Sequence, residues 1–179
     1  MTKEAGRFTF ITGGRRSGKS SHALELAKKT GKKKLFIATA IAYDSEMMER
    51  ISRHKKERGA GWRTIEEPVK VAKTLNGLKG FDVAVIDCLT LWLFNITHGS
   101  AASDNAILKE INALALAIEN CKTPVIAVSN ELGMGVIPEA ASTRRFTDLA
   151  GFMNQRMAKS AANAVAMISG IPMQLKKTS

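Results

Sequence analysis

A glycine-rich segment near the start of the chain has the residue types and spacing needed to bind phosphate. The segment GGRRSGKS, residues 13–20, contains the Walker A pattern Gly-x4-Gly-Lys-Ser, whose inward-facing backbone N–H groups surround phosphate oxygens. In this pattern Lys19 neutralises the β- and γ-phosphates, and the Ser20 hydroxyl binds Mg²⁺. A plain turn would not explain why Lys19 and Ser20 stand together. We therefore predict a nucleoside triphosphate site formed by Gly13, Gly14, Arg15, Arg16, Ser17, Gly18, Lys19 and Ser20.

An aspartate at the end of an apolar run could supply a second ligand for the same Mg²⁺. In phosphate-loop enzymes, the ion is held by the loop serine and by an acid that ends a neighbouring strand. Residues 83–87 read Val-Ala-Val-Ile-Asp, so Asp87 is in the expected place. The alternative is that Asp87 caps a helix over residues 88–95. Because the phosphate loop is present, we favour Ser20 and Asp87 as metal ligands.

A histidine among basic residues could act as a nucleophile toward phosphorus. His54 lies between Arg53 and Lys55 in residues 44–58, which we predict to be a helix capped by Asp44. Neighbouring positive charge should lower the pKa of the imidazole and keep it neutral. A neutral imidazole is a competent nucleophile. The alternative is a solvated basic face on which the histidine is incidental, and composition alone favours that alternative.

The elements that would position these residues alternate between strand-like and helix-like segments. Nearly continuous apolar strands separated by helices indicate a mostly parallel sheet covered on both faces, with ligands at the carboxyl edge. We predict an α/β fold with a single P-loop NTPase-like domain over residues 1–179. The predicted strands are Phe8–Thr12, Lys34–Ala38, Val83–Asp87, Val125–Ser129 and Ala164–Ile168. The predicted helices are Lys19–Lys29, Ser45–Glu57, Val69–Leu75, Asp104–Asn120 and Ala140–Ala161.

Composition limits the class of protein and of partner. The chain has 179 residues, a formal net charge of +11 and no apolar run near the roughly 20 residues that a membrane span requires. We expect a cytoplasmic protein without a membrane span, because the N-terminus also lacks a secretory signal. The positive charge favours a polyanionic partner such as a nucleotide. Neither Cys88 nor Cys121 has metal-ligand spacing, and we expect both to be small buried thiols.

Several motifs taken together resemble one enzyme family, the bifunctional adenosylcobinamide kinase and adenosylcobinamide-phosphate guanylyltransferase of cobalamin biosynthesis. The similarity extends from the first predicted strand to residues 170–172. The loop Asn-Glu-x-Gly-Met-Gly is its most specific part, since Walker A loops occur in many unrelated enzymes. The motifs are GGRRSGKS, Ala38-Thr39-Ala40, Asp44-x-Glu46-Met47-x-x-Arg50-Ile51-x-x-His54, Trp62-Arg63-Thr64-x-Glu66-Glu67, Ser129-Asn130-Glu131-x-Gly133-Met134-Gly135-x-x-Pro138 and Arg145-Phe146-x-Asp148-x-x-Gly151-x-x-Asn154-Gln155.

The resemblance implies two reactions and a set of site residues. ATP or GTP would phosphorylate the hydroxyl on the aminopropanol arm of adenosylcobinamide. GTP would then transfer GMP to a histidine, which by motif position is His54, and onward to the new phosphate to give adenosylcobinamide-GDP. The resemblance also implies a homo-oligomer, a trimer by family analogy. The further nucleotide-binding residues that it implies are Thr39, Ala40, Ile41, Lys55, Lys56, Glu57, Arg58 and Glu66, the last as a guanine-reading carboxylate or an ordinary surface acid.

Three alternatives remain open from the residues. One is a phosphate-loop kinase of a small molecule, in which His54 only contacts phosphate; another is a homologue that guanylylates without phosphorylating. A third is an ATPase stimulated by nucleic acid. The sequence counts against this third class, because basic stripes interleaved with aromatics are absent and the chain has only seven Phe, two Trp and one Tyr. We therefore expect no nucleic-acid partner. Residues 89–96 could be core or a subunit face, and we favour core.

Overall fold

A computed structural model describes residues 7–59, 61–98 and 102–178 of the chain. They form a seven-stranded sheet with helices on both faces. The strands are β1 (Phe8–Gly13), β2 (Lys34–Ala38), β3 (Trp62–Glu66), β4 (Val83–Asp87), β5 (Val125–Val128), β6 (Asn163–Ile168) and β7 (Ile171–Lys177). The helices are α1 (Lys19–Thr30), α2 (Ser45–Arg58), α3 (Val71–Asn76), α4 (Leu89–Thr97), α5 (Asp104–Asn120) and α6 (Ala141–Ser160).

The sheet is parallel except at one edge. Its strand order is β3-β2-β4-β5-β1-β6-β7, and only β7 runs antiparallel to its neighbour. Ser169 and Gly170 connect β6 to β7 with φ values of 51° and 84°, the positive backbone angles of a tight two-residue hairpin. The predicted mostly parallel sheet is therefore confirmed. Two strands were not predicted, the edge strands β3 and β7.

Alternate side chains of the strands face two separate apolar layers. On one face, Ile11, Val83 and Val85 pack with Ala23 and Leu24 of α1. On the other face, buried side chains of α3, α4, α5 and α6 pack with strand residues such as Phe8 and Phe10. Each central strand thus contributes to both layers, which is why its sequence is almost continuously apolar. The predicted coverage of both faces is confirmed.

The apolar segment at residues 89–96 belongs to the core, as favoured from the sequence. Leu89, Trp92 and Leu93 are at most 1% exposed, and the Trp92 Nε1 atom donates to the Val69 carbonyl at 2.8 Å. Cys88 occupies the N-cap position of α4 without a side-chain cap hydrogen bond. Capping by Asp87, the alternative role of that aspartate, is therefore not observed.

The predicted bounds of β2, β4 and α5 match the structure, and those of the other predicted elements differ from it by one or two residues. The largest difference is at α3, which was predicted to begin at Val69 and begins at Val71. The Glu67 carboxylate accepts hydrogen bonds from the backbone N–H groups of Val69 and Lys70, at 3.0 and 2.7 Å. These bonds hold a turn before the helix and delay its start. Across the described ranges, no helix is both long and apolar enough to cross a membrane.

Candidate active site

The phosphate loop lies at the carboxyl end of β1 and leads directly into α1. Gly13 and Gly18 have φ values of 144° and 92°, and Arg16 has a φ of 58°. These positive angles turn the chain sharply, and at the glycines no Cβ opposes them. Within the loop, the Ser17 N–H donates to the Gly14 carbonyl at 3.3 Å. The predicted strand, loop and helix are thus all present in the order that the Walker A pattern requires.

Lys19 points into its own loop. Its side chain is buried, and its Nζ atom donates to the Gly14 carbonyl at 2.6 Å and to the Ser17 hydroxyl at 3.4 Å. A buried ammonium group is stable only when oxygen atoms surround it. Phosphate oxygens entering the loop would supply stronger, charge-assisted partners than the carbonyl. Arg15 and Arg16 are exposed at the tip of the loop, and Ser20 is half-buried in the first turn of α1.

Strand β6 and the β6–β7 hairpin, next to β1 in the sheet, contact the phosphate loop. The Gly170 N–H donates to the Ser17 carbonyl at 3.1 Å, so the β6–β7 hairpin contacts the loop directly. A Cβ atom on Gly13 would lie 2.3 Å from the Met167 carbonyl oxygen. Only glycine therefore fits where β1 ends against β6, and this close contact holds the start of the loop in place.

Asp87 and Lys19 lie on the same side of the molecule as the buried thiol of Cys88, and the charges of both influence it. Burial, helped by the negative charge of Asp87 and opposed by the positive charge of Lys19, raises the pKa of Cys88 to about 12. Cys88 and Cys121 are buried free thiols, as predicted. The half-buried carboxylate of Asp87 thus lies at the same edge of the sheet as the loop lysine, although β5 separates β4 from β1.

Thr39 connects the ends of β2 and β4. Its side chain is fully buried, and its hydroxyl donates to the Cys88 carbonyl at 2.7 Å and accepts from the Cys88 N–H at 2.8 Å. These two bonds hold the backbone directly after Asp87, where the Asp87–Cys88 peptide bond is cis. The Thr39 side chain therefore positions Asp87. Ala40 and Ile41 follow at the carboxyl edge and are half-buried.

The residues at this edge fit Mg²⁺ bound together with a triphosphate. The ion prefers hard oxygen ligands and commonly uses one or two protein groups, with phosphate oxygens and water completing its shell. The Ser20 hydroxyl and the Asp87 carboxylate are ligands of this kind. The part of the chain that the structure describes has no group of three or more His, Cys, Asp or Glu side chains suited to a metal. A metal here would thus depend on the nucleotide for most of its ligands.

A polar network follows β5 and joins α4 and α6 to the phosphate loop. The Thr90 and Ser129 hydroxyls lie 3.2 Å apart, and Thr90 also accepts from the Asn130 N–H at 2.7 Å. Asn154 donates to the Asn130 carbonyl at 3.0 Å and to the Glu131 carboxylate at 3.3 Å. The Glu131 N–H in turn donates to the Gly13 carbonyl at 3.0 Å. This network places a carboxylate beside the first residue of the loop.

Helix α2 lies between the phosphate loop and β3. Near its start, the Glu46 carboxylate is 3.9 Å from the Arg15 guanidinium, and near its end Lys55 donates to the Glu66 carboxylate at 2.8 Å. His54 is in the third turn of α2, eight residues after Glu46 and therefore about 12 Å further along the helix. The side chains of His54 and Glu57 lie outside the described residues. Lys56 is exposed to solvent.

Arg58, at the end of α2, is buried. Its guanidinium lies 3.9 Å from the centre of the Phe36 ring and donates to the Thr64 hydroxyl at 3.5 Å. Burial lowers the pKa of Arg58, while the negative charge of Asp87 raises it. The cation therefore lies close enough to the site to act on Asp87, under α2 on the same face of the sheet as α1.

The structure brings together the phosphate loop, Asp87 and residues 39–41, and it pairs Lys55 with Glu66. The contacts of His54 and Glu57 with a nucleotide stay predictions. Sequence reasoning gave no role to Thr90 and only quoted Asn154 within a motif. A polar residue inside an otherwise apolar helix, such as Thr90 in residues 89–96, was the available signal.

Solved structures with the same fold include a recombinase and an ATPase domain. The chain is 15% identical to the RadB recombinase, with a TM-score of 0.51, and covers 74% of it. It is 14% identical to a solved ATPase domain, with a TM-score of 0.50 and 68% of that chain covered. A Pyrococcus horikoshii protein gives a TM-score of 0.57 at 8% identity, with 88% of that chain covered. These likenesses confirm the predicted P-loop NTPase-like fold.

Sequence comparison identifies much closer relatives. The chain is 40% identical to the bifunctional adenosylcobalamin biosynthesis protein CobP of Pseudomonas aeruginosa, with 93% of this chain and 95% of that protein covered. It is 34% identical to CobU of Escherichia coli, which carries the same description, with 93% and 98% covered. A family model described as cobinamide kinase / cobinamide phosphate guanyltransferase matches residues 9–175. The resemblance drawn from the motifs is confirmed: the chain belongs to the cobinamide kinase / cobinamide phosphate guanyltransferase family.

Proposed function

We propose that this chain catalyses both reactions of its family at the edge of the sheet that carries the phosphate loop. The two activities, kinase and guanylyltransferase, follow from family membership, so the enzyme class predicted from the sequence is confirmed. What we propose beyond this class are the substrates of each reaction and the residues that act on them. In the first reaction, ATP or GTP phosphorylates the hydroxyl of the aminopropanol arm of adenosylcobinamide. In the second, GTP supplies GMP to that phosphate, and pyrophosphate leaves.

The proposal depends mainly on one observation: the phosphate loop with Lys19 lies at the same edge of the sheet as Asp87. In the kinase step, the loop N–H groups and Lys19 would hold the β- and γ-phosphates. Ser20 and Asp87 would hold Mg²⁺, which supplies charge stabilisation for the transferred group. In the guanylyl step the same groups stabilise the departing pyrophosphate. The same loop N–H groups and Lys19 therefore stabilise the nucleoside diphosphate that leaves in the kinase step and the pyrophosphate that leaves in the guanylyl step.

His54 is the proposed nucleophile of the guanylyl step. An imidazole nitrogen forms a bond to the α-phosphorus as the bond to pyrophosphate breaks, which leaves a phosphoramidate. The phosphate oxygen of the acceptor then attacks the same phosphorus, and the histidine leaves. Splitting one difficult transfer into two easier ones is the advantage of such a covalent route. Support comes from α2, which contacts the loop through Glu46 and Arg15 and places His54 about 12 Å further along.

The two reactions occur at different phosphorus atoms of the nucleotide. The triphosphate or the helix that carries His54 must therefore shift relative to the loop between them. The contact between Arg15 and Glu46 and the pair formed by Lys55 and Glu66 join exposed side chains and are weak. Such contacts can break at little cost, which supports movement of α2 as the larger of the two shifts.

The proposal extends to assembly and location. Ile171, Met173 and Leu175 alternate along the edge strand β7 and are 65%, 48% and 61% exposed. An apolar row on an unpaired sheet edge supports a homo-oligomer, a trimer by family analogy. Light scattering of the purified protein tests this oligomeric state.

We also propose a cytoplasmic location, which cell fractionation tests.

Product analysis tests the proposed function. The protein is incubated with adenosylcobinamide, Mg²⁺ and either ATP alone or ATP and GTP, and the corrinoids are identified by mass spectrometry. We expect adenosylcobinamide phosphate in the first mixture and adenosylcobinamide-GDP in the second. The variant His54→Ala should form the phosphate but not the GDP product. A wild-type protein that stops at the phosphate would contradict the guanylyl step, and one that forms neither product would contradict the whole proposal.

A further inference from the structure

A cavity of about 420 Å³ lies between the end of α4 and the start of α6, separate from the phosphate loop. Its size is within the range of small-molecule sites. The walls include Phe94 and His98 from α4 and its C-terminal end, and Arg145 and Phe146 from the second turn of α6. Neither the predicted nucleotide-binding residues nor the predicted metal ligands line it. The cavity is therefore distinct from the nucleotide and metal residues predicted from the sequence.

The walls are unusually aromatic for this chain. The Phe94 and His98 rings stack with their centres 4.6 Å apart and an interplanar angle of 17°. Phe146 meets Phe94 edge-on at 6.1 Å, and Tyr43 does so at 6.5 Å. Phe94 thus contacts three other rings, and two of these, His98 and Phe146, line the cavity with it. A surface of this kind favours a flat conjugated ligand.

Arg145 adds a fixed hydrogen-bond donor at the rim. Its Nε atom donates to the Asp104 carboxylate at 2.6 Å, and its Nη2 atom donates to the Ala102 carbonyl at 2.9 Å. These bonds orient the guanidinium, whose Nη1 atom has no partner among residues 7–59, 61–98 and 102–178. Asp104 already balances much of its charge. The remaining donor is therefore suited to a neutral amide carbonyl.

The cavity lies on the face of the sheet opposite α1, beside a helix that contacts the carboxyl edge of the sheet. Helices α4 and α6 pack on one face of the sheet, whereas α1, which begins at the loop, packs on the other. Asn95, one residue after Phe94, donates to the Thr39 carbonyl at 2.8 Å and so ties α4 to the carboxyl edge of the sheet. The cavity thus lies beside a helix that reaches the edge of the sheet at which the nucleotide is proposed to bind.

Asn154 marks a path from the cavity to the phosphate loop. It lies eight residues after Phe146 on α6, or about 12 Å along the helix. Its amide nitrogen bonds to Asn130 and Glu131, next to Gly13, whereas its Oδ1 atom is buried and has no partner within the described chain. Because this oxygen is closed off from solvent, a ligand would pass along α6 beside Asn154 without bonding to it.

We propose that this cavity holds one edge of the corrin ring of the acceptor, and that the aminopropanol arm extends along α6 toward the loop. The inference rests on the proposed function. A corrin is a flat conjugated macrocycle with amide side chains, which matches the aromatic wall and the Arg145 donor. The amide-linked arm spans between two and three residue lengths, roughly 8 Å. The reacting hydroxyl at the end of the arm is then directed toward the loop.

Binding of adenosylcobinamide, measured by equilibrium dialysis without nucleotide, tests this inference independently of catalysis. The test variants are His98→Ala, Arg145→Gln and the double variant. The matched control is Phe152→Ala, which removes an α6 side chain that is 54% exposed and lies outside the cavity. His98 is also exposed, so its removal should not prevent folding, and circular dichroism checks all variants. Self-guanylylation by GTP, which needs no corrinoid, is measured on the same samples.

We expect the dissociation constant for the corrinoid to rise roughly tenfold in each single variant and further in the double variant. The control should bind like the wild type, and self-guanylylation should not change. Equal corrinoid binding by the wild type and the double variant would overturn this inference alone. A rise in the KM for GTP instead would assign the cavity to the guanine base. A wild-type protein that does not bind the corrinoid would overturn the proposed function as well.

Discussion

The Lys55 ammonium group donates to the Glu66 carboxylate across 2.8 Å and so joins α2 to the end of β3. Both residues were predicted to bind the nucleotide. Lys55 directly follows His54 in the helix, and Glu66 lies at the carboxyl edge of the sheet. A guanine base presents paired N–H donors to a carboxylate much as Lys55 does. GTP could therefore displace Lys55 from Glu66 and free α2 at the same time.

Glu66→Gln should weaken recognition of guanine. Loss of a charged acceptor for the base is expected to raise the KM for GTP roughly tenfold in self-guanylylation. The KM for ATP in the kinase step should not change. Glu67→Gln is the matched control, because Glu67 accepts from the backbone of Val69 and Lys70. That variant should lose stability without a change in nucleotide preference; an unchanged KM for GTP in Glu66→Gln would show that this carboxylate is a surface acid.

The same pair makes a small, pH-dependent contribution to stability. Its hydrogen bond and the charge of Lys55 lower the pKa of Glu66. The stabilisation is therefore present above the unfolded pKa of about 4.3 and is lost as the pH falls through the lower folded value. Because the pair is mostly exposed, Glu66→Gln should reduce the free energy of unfolding by less than about 1 kcal/mol at pH 7. Urea unfolding at several pH values would measure this difference.

Gly13→Ala should destabilise the protein, and Gly14→Ala should not. A methyl group on Gly13 would lie 2.3 Å from the Met167 carbonyl, and its φ of 144° is strained for any other residue. A Cβ atom on Gly14 meets no atom within 4 Å. We expect a loss of roughly 2 kcal/mol or more for Gly13→Ala and less than about 0.5 kcal/mol for Gly14→Ala in thermal unfolding. Equal stability of the two variants would contradict the close contact between β1 and β6.

Asp87→Asn should reduce both activities and weaken their response to Mg²⁺. Removing the carboxylate is expected to lower kcat roughly 100-fold and to raise the Mg²⁺ concentration needed for half of the remaining rate. Asp82→Asn is the control, since that exposed carboxylate accepts from the Lys32 and Lys33 backbone before β4 begins. Magnesium titrations of both variants test the assignment. A wild-type Mg²⁺ profile in Asp87→Asn would remove Asp87 from the metal site.

Cys88 should resist thiol reagents in the folded protein. Its pKa of about 12 leaves almost no thiolate at pH 8, and its side chain is buried. Burial raises the pKa of Cys121 as well. Ellman's reagent at pH 8 should therefore react slowly with the native protein and should titrate two thiols after unfolding in guanidinium chloride. A rapid reaction of one thiol in the native state would be the contrary result.

The fold was predictable where the sequence carries local signals. The phosphate loop identifies the end of β1 and the start of α1, and continuously apolar runs identify the central strands. The edge strands β3 and β7 were missed because their side chains are mostly half-buried or exposed and their sequences are mixed. Pro172 lies within β7, and an edge strand is where a sheet tolerates proline.

The candidate site was predictable to the extent that motifs define it. Lys19, Ser20 and Asp87 are recognisable from spacing and from the strands that precede them. The bonds between Thr39 and Cys88 and between Asn154 and Asn130 join residues 49 and 24 positions apart. Such contacts depend on tertiary packing, so no local pattern reports them. The cavity between α4 and α6 was missed for the same reason.

The central claim is that His54 carries GMP between GTP and the acceptor. GTP labelled at either the α- or the γ-phosphate is incubated with the protein and Mg²⁺, and the protein is precipitated under alkaline conditions, in which phosphoramidates survive. We predict that the α label stays on the wild type and on the control His22→Ala, is absent from His54→Ala, and that the γ label is never retained. Retention of the α label by His54→Ala, or its absence from the wild type, would contradict the claim.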